Sequence, residues 1–221
     1  MKGKDGLFKV GDFWVEGLKC DIKPHNKFFG IIGSRNPSAK ERENAYLLGK
    51  WCAQNGYIVV SGLASGVDEA AHKGALDGGG KTIAIVSTTP NENIYPKGNR
   101  GLAQRIIQHG CIVYPFEKNN PKLIDGFEDF KRRLIERNLV LAYLCKNVVA
   151  VKDERKINGG TKWAMNYAHI FGNKTFRLYG DAFSEGFESH KLIINRNSLE
   201  SEPEVEKAKV TWKMEIEVNK K

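Results

Sequence analysis

No apolar run in the 221 residues approaches the ~20 that a membrane-spanning helix requires. A helical membrane span is therefore excluded. Residues 1–6 carry no apolar signal core, so the expected location is the cytoplasm. Cysteine is scarce and dispersed: Cys20, Cys52, Cys111 and Cys145 include no Cys-x-x-Cys pair. The histidines are scattered too, none at metal-ligand spacing beside a cysteine, so neither a metal nor a cofactor is expected. Buried free thiols in a reducing compartment are the expected state of the cysteines. Internal repeats and low-complexity tracts are missing, which excludes solenoid architectures. A nucleophile paired with a base is missing as well. Ser61, Ser65, Asp68 and His72 are close in sequence, but His72 follows Asp68 by one helical turn. That spacing suits a helix cap and a ring hydrogen bond better than a catalytic triad, so no enzymatic activity is expected.

What is present is a core and a charge. Hydrophobic residues make up 41% of the chain, enough for one α/β domain of ordinary size and too many for general disorder. Lys and Arg number 35 against 26 Asp and Glu, a formal net charge of +9. A surplus of that size favours a polyanionic partner.

Apolar runs alternate with helical patterns from residue 28 to 180. Residues 57–60 are apolar and β-branched, as a buried strand should be; Gly62 and Gly66 follow, then an apolar helical stripe to residue 76. Residues 28–33 form another strand, followed by a polar turn and a helix over 39–55 with Ala45, Leu48, Trp51 and Cys52 on one face. Ser38 with Glu41 three residues on predicts a capping box, and Asn55-Gly56 ends that helix. Strands over 82–86, 111–115, 147–151 and 174–179 and helices over 99–109, 127–144 and from the turn at 158–161 to 171 complete the alternation. This is the pattern of a parallel sheet with right-handed crossovers. Residues 1–27 are expected to be an extension packing on the core, with a short strand at 13–17. Residues 181–221 lack the alternation. There, a short strand at 192–194, an acidic loop at 200–206 and a period-two strand at 209–218 are expected. The last has one apolar face that needs a partner strand or a second subunit.

Ligands in open parallel sheets bind beyond the C-terminal strand ends. Arg35 lies just past one such end, and Gly33, Ser34, Ser61, Gly62 and Gly66 surround two adjacent ones. Backbone amides at a glycine turn and a helix start can grip a phosphate, and an arginine between them completes an anion site. The turn Gly159-Gly160-Thr161 is a third junction of the same kind. Lys131, Arg132, Arg133 and Arg137 crowd the early turns of the 127–144 helix and extend the positive groove. Tyr95 and Phe130 are candidates for stacking a base.

Three motifs, in order and at matching spacing, carry a resemblance. Gly-Ser-Arg-Asn-Pro-Ser at 33–38, Ser-Gly-Leu-Ala-Ser-Gly-Val-Asp-Glu-Ala-Ala-His at 61–72, and Ile94-Tyr95-Pro96 with Asn99, Arg100, Leu102 and Ala103 resemble the DprA/Smf family of DNA-processing proteins over about residues 28–180. The resemblance implies an extended Rossmann-like domain, a mostly parallel sheet with helices on both faces. It also implies single-stranded DNA as ligand, a role in DNA uptake and transformation, loading of a RecA-type recombinase, and a homodimer. The family's Phe-Pro-x-Arg-Asn-Arg run is only partly kept. Arg137 and Asn138 match its Arg-Asn, the last arginine is lost, and Phe130 is displaced from the family's phenylalanine. The Gly-Gly-Thr turn at 159–161 leans instead towards LOG-type phosphoribohydrolases and SLOG nucleotide sensors. Ala164, however, stands where their catalytic glutamate would be. A sensor of free nucleotide, or a LOG-like hydrolase, is the alternative to the DNA binder.

Overall fold

The computed structural model describes residues 7–19, 21–116, 127–153 and 157–180 and the backbone of 193–194. The expectations for 1–6, Cys20, 117–126, 154–156, 181–192 and 195–221 lie outside those residues. Two short strands, β1 (Leu7–Val10) and β2 (Phe13–Gly17), pair as an antiparallel hairpin. Then come β3 (His25–Gly33), α1 (Ala39–Gln54), β4 (Ile58–Ser61), α2 (Val67–Asp77) and β5 (Thr82–Ile85). A 3₁₀ turn at Lys97–Asn99 leads into α3 (Arg100–His109) and β6 (Cys111–Tyr114). The chain continues through α4 (Phe127–Leu144), β7 (Cys145–Val151), α5 (Gly159–Ile170), β8 (Lys174–Leu178) and β9 (Ile193–Ile194).

The strands form one sheet of nine in the order β1-β2-β6-β5-β4-β3-β7-β8-β9. The six from β6 to β8 are parallel; the antiparallel pairings are confined to the margins. The fold is thus the expected extended Rossmann-like α/β sheet. The hairpin partner β1 was not anticipated, since residues 7–10 are too short and mixed for a periodic signal.

Alternation along the central strand sorts the helices. Phe28 and Ile32 of β3 pack with Leu141, Leu144, Ala164 and Met165 of α4 and α5. Phe29 and Ile31, facing the other way, pack with Ala45, Leu48, Ala70 and Ala71 of α1 and α2. Helices therefore cover both faces, and both faces of the central strands are buried. α1 and α2 approach closely because Gly49 and Gly74 lie against the backbone of the facing helix, at Ala71 and Tyr46, where a Cβ would collide. The predicted capping box is present. Ser38 Oγ accepts from the Glu41 amide (3.1 Å) and Glu41 Oε2 accepts from the Ser38 amide (2.9 Å). Cys52 and Cys145 are free and buried, and burial pushes both thiols up. Cys111 corrects the expectation of free thiols throughout: it is disulfide-bonded, to a partner outside the described residues.

From β3 the chain builds outwards through β4, β5 and β6, then returns to the other side of β3 as β7 and β8. That reversal is the topological switch point, and it opens a crevice beyond the C-terminal ends of β3 and β7.

Candidate nucleic-acid interface

The crevice is a cavity of about 640 Å³. One wall is the β3–α1 turn with Gly33, Ser34 and Arg35; another is α4 with Lys131, Leu134, Ile135, Arg137 and Asn138. Ala64 and Asp68 close one end, and Lys152, Ile157 and residues 158–161 close the other. Its floor is tight because the loops interlock. A Cβ on Gly33 would sit 2.6 Å from Val67 Cγ2, and one on Gly66 would sit 2.7 Å from the Arg35 carbonyl oxygen. Gly66 also has φ +86°, where a side chain is strained. The turn between β4 and α2 is held further by Leu63. Its φ is +58°, its side chain is fully buried, and its carbonyl accepts from Asn99 Nδ2 at 3.0 Å.

At the base of the crevice lies a buried ion pair. Arg137 Nη2 is 3.6 Å from Asp68 Oδ2, with side-chain exposures of 7% and 6%. Burial pushes the Asp68 carboxyl up and the Arg137 guanidinium down, and their mutual attraction opposes both shifts. Arg137 Nε and Nη1 have no hydrogen-bond partner among the described residues. Gly62 makes room for this group: a Cβ there would fall inside the guanidinium. Arg35 stands nearby, exposed and without an ion pair among the described residues, and its charge further lowers Arg137. The ion-pair partner of Asp68 is thus Arg137, which comes from a distant helix.

The third junction supplies amides. α5 begins at Gly159 after Asn158, whose side chain makes no cap bond, so the first amides of the helix lack a side-chain acceptor. Gly159 (φ +57°) and Gly160 are exposed, and Asn138 Nδ2 donates to the Gly160 carbonyl at 3.1 Å.

The structure therefore brings Gly33, Ser34, Arg35, Lys131, Arg137, Asn138, Gly159, Gly160 and Thr161 to one cavity. It does not bring Ser61, Gly62, Gly66, Arg133, Phe130 or Tyr95 there. Ser61 is fully buried and its hydroxyl donates to the Ile31 carbonyl at 2.6 Å. Gly62 and Gly66 serve the packing just described. Arg133 turns inwards: Nη1 donates to Glu92 (2.8 Å) and to the Ser87 carbonyl (2.9 Å), and Nε lies 3.1 Å from Asp129 Oδ2. Arg132 pairs with Asp129 and Glu136. Tyr95 and Phe130 meet each other edge to face, with centroids 5.0 Å apart, and the Arg133 guanidinium lies 5.5 Å from the Phe130 ring. His72 Nδ1 is 2.7 Å from Thr82 Oγ1, whose hydroxyl donates to the Val59 carbonyl. Burial and Arg137 lower the His72 pKa to about 3, so the ring is neutral.

Sequence reasoning missed Lys152, Ile157 and the clamp that holds the two lips together. Glu41 Oε1 accepts from the Asp153 amide (2.9 Å) and lies 3.8 Å from Lys152 Nζ, while Ser38 Oγ donates to Asp153 Oδ2 (3.2 Å). The capping box found Glu41; its second oxygen reaches the turn after β7, 112 residues away, which no local pattern reports. Among the described residues no group of His, Cys, Asp or Glu is placed to hold a metal, and no helix is long and apolar enough to cross a membrane.

Comparison with known proteins agrees with the geometry. The family model for DNA recombination-mediator protein A matches residues 13–205. The DNA processing protein DprA of Streptococcus pneumoniae is 33% identical over 143 residues, 63% of this chain and 46% of that protein. Protein Smf of Escherichia coli is 31% identical over 196 residues, 88% of this chain and 49% of that protein. The chain spans about half the length of these curated relatives. Among solved structures, S. pneumoniae DprA superposes with a TM-score of 0.63 at 27% identity, covering 78% of this chain and 56% of that one. The Helicobacter pylori protein, described by its single-stranded DNA binding mode, superposes with a TM-score of 0.62 at 25% identity, covering 79% and 74%. The chain belongs to the DNA recombination-mediator protein A family, the DprA/Smf proteins.

Proposed function

We propose that the chain binds single-stranded DNA in the switch-point crevice without catalysing a reaction. The observation that carries this reading is Arg137, a buried guanidinium with two nitrogens unpartnered in a cavity that also presents Arg35, Lys131, Lys152 and the first amides of α5. A phosphodiester oxygen would satisfy those donors. The apolar part of the lining, Leu134, Ile135 and Ile157, gives a base a dry surface. Contacts of this kind go mostly to phosphate, so sequence preference should be slight. The H. pylori relative, characterised with single-stranded DNA, supports the same ligand here. A RecA-type recombinase receiving the strand, action in transformation, and a homodimer rest on the family resemblance.

The cavity is also large enough for a free nucleotide, which keeps the sensor reading as the alternative. A salt and length titration separates the two. Four cationic contacts predict a log–log salt slope of roughly −3 for an oligonucleotide, against about −1 for a mononucleotide. Affinity that does not rise with strand length, or a shallow slope for long strands, would replace the DNA reading with the sensor.

A further inference from the structure

The inner face of α5 is fixed by Ala164, Met165 and Ala168, which pack in the core. Its outer side carries Trp163, Tyr167 and Ile170, spaced so that they fall on one stripe of the helix. Trp163 is 39% exposed, more than Trp14 or Trp51. A single exposed aromatic is ordinary on a protein surface. What sets Trp163 apart is its place. Gly159 and Gly160 line the crevice and open α5. Trp163 follows Gly159 by four residues and so stands about 5–6 Å further along the same side. Helix side chains lean towards the N-terminus, so the indole covers the turn nearer this lip.

The lip is bare. Among the described residues, a Cβ on Gly159 would meet nothing within 4 Å, and one on Gly160 only Asn138 Nδ2 at 3.8 Å. The indole is also braced. Its ring centroid lies 6.0 Å from that of Tyr167, with the planes tilted by 34°. Tyr167 is half-buried against α4, where burial and the Glu136 carboxylate push its phenol up. On the crevice side of the lip stand four cations, Arg35, Lys131, Arg137 and Lys152. The first amides of α5 lie in the lip itself. A phosphate seated there has its neighbouring nucleoside within reach of Trp163. A flat aromatic beside a cationic cavity fits alternating base and phosphate, the repeat of a nucleic-acid strand.

We propose that Trp163 is a base-stacking site for the nucleotide that leaves the crevice over Gly159, with Tyr167 as its brace. A mononucleotide held in the crevice ends short of the indole, whereas a strand continues onto it. Trp163 thereby gives the site a preference for strands over free nucleotides. Stacking is tolerant of base identity, so the preference is for length and not for sequence. The site rests on the DNA reading given under Proposed function.

Titration of the full chain with thymidine monophosphate, with a long thymidylate strand and with an abasic strand of the same length tests the site. Trp163→Ala should weaken the long strand by about 5- to 100-fold. It should leave the monophosphate and the salt slope unchanged, because no phosphate contact is removed. Trp163→Phe should keep most of the affinity. The abasic strand should bind wild type and Trp163→Ala alike, having no base to stack. The thymidylate strand should quench the tryptophan emission of wild type, and Trp163→Phe, while still binding, should lose most of that quenching. If wild type binds the long strand and Trp163→Ala binds it equally well, the stacking site is overturned and the DNA reading stands. An equal loss for the abasic strand would also overturn it, since the indole would then act on something other than a base. Emission from Trp163 that responds to protein concentration and not to the strand would assign this face to a second copy and overturn it too. Failure of wild type to bind any strand would overturn the DNA reading, and the stacking site with it.

Discussion

Arg133 and Arg137 stand one turn apart on α4, both buried, under opposite conditions. The Arg133 guanidinium is surrounded by acceptors: Glu92, Asp129 and the Ser87 carbonyl. Burial raises the Glu92 carboxyl more than any single contact lowers it, but the hydrogen bonds from Arg133 and Thr89 and the Arg133 charge together hold Glu92 below the usual range. Arg137 has one long contact with Asp68 and two nitrogens left over. One arginine is a strut tying α4 to the loop after β5. The other is under-satisfied, which is costly in a stable fold and useful in a binding site. Equal charge and near-equal burial thus lead to different roles, and the number of acceptors within reach separates them.

The largest effect should come from Arg137. Arg137→Met leaves Asp68 buried and unpaired, and should cost about 3–5 kcal/mol in denaturant unfolding. Adding Asp68→Asn should recover much of that loss without restoring DNA affinity. Full stability in the single variant would break the claim that this pair is buried and coupled. Gly62→Ala should resemble Arg137→Met in affinity, because the new methyl displaces the guanidinium.

Arg133→Ala should cost about 1.5–3 kcal/mol, the range for hydrogen bonds to charged groups, and leave the salt slope of DNA binding unchanged. If the slope becomes shallower, Arg133 reaches the strand and the contrast with Arg137 fails. Arg35→Ala should do the reverse. Being exposed and unpaired, it should leave stability within about 0.5 kcal/mol. Affinity should fall roughly tenfold to a hundredfold, and the slope should become shallower by about 0.7.

The last effect appears only as a slope with pH and is absent at neutral pH. The folded-state pKa of His72, about 3, lies below its unfolded value of ~6.5. The unfolded chain therefore takes up a proton first as pH falls. The His72 contribution is fully present above pH ~6.5 and is lost by about 1.4 kcal/mol per pH unit towards pH 3. Asp68 acts with the opposite sign, since its raised folded-state pKa favours the fold as pH falls through it. The difference between wild type and His72→Gln across pH 4–7 isolates the histidine. A flat difference would mean that His72 is solvated in the folded protein.

Much of the fold was legible because its signals are local. The capping box at Ser38 and Glu41, the Asn55-Gly56 end of α1, and the β-branched runs of β4 and β5 all act within a few residues. The hairpin strand β1 was not legible, being four residues long and stabilised only by pairing with β2. The candidate site divides in the same way. Arg35 and the Gly159-Gly160-Thr161 turn could be placed from sequence, since a strand end followed by a helix start is a local feature and strand ends converge in a parallel sheet.

Sequence by itself determined the α/β alternation, the order of the strand ends and the surplus of positive charge, because period, turn chemistry and composition are written residue by residue. Only the tertiary structure decided that Asp68 belongs to Arg137, that Gly62 is empty so that a guanidinium can lie there, and that Arg133 turns inwards. Those outcomes depend on which helix is laid over which strand end. The switch in strand order at β3 sets that placement, bringing α4 across the loop after β4 from about 70 residues away.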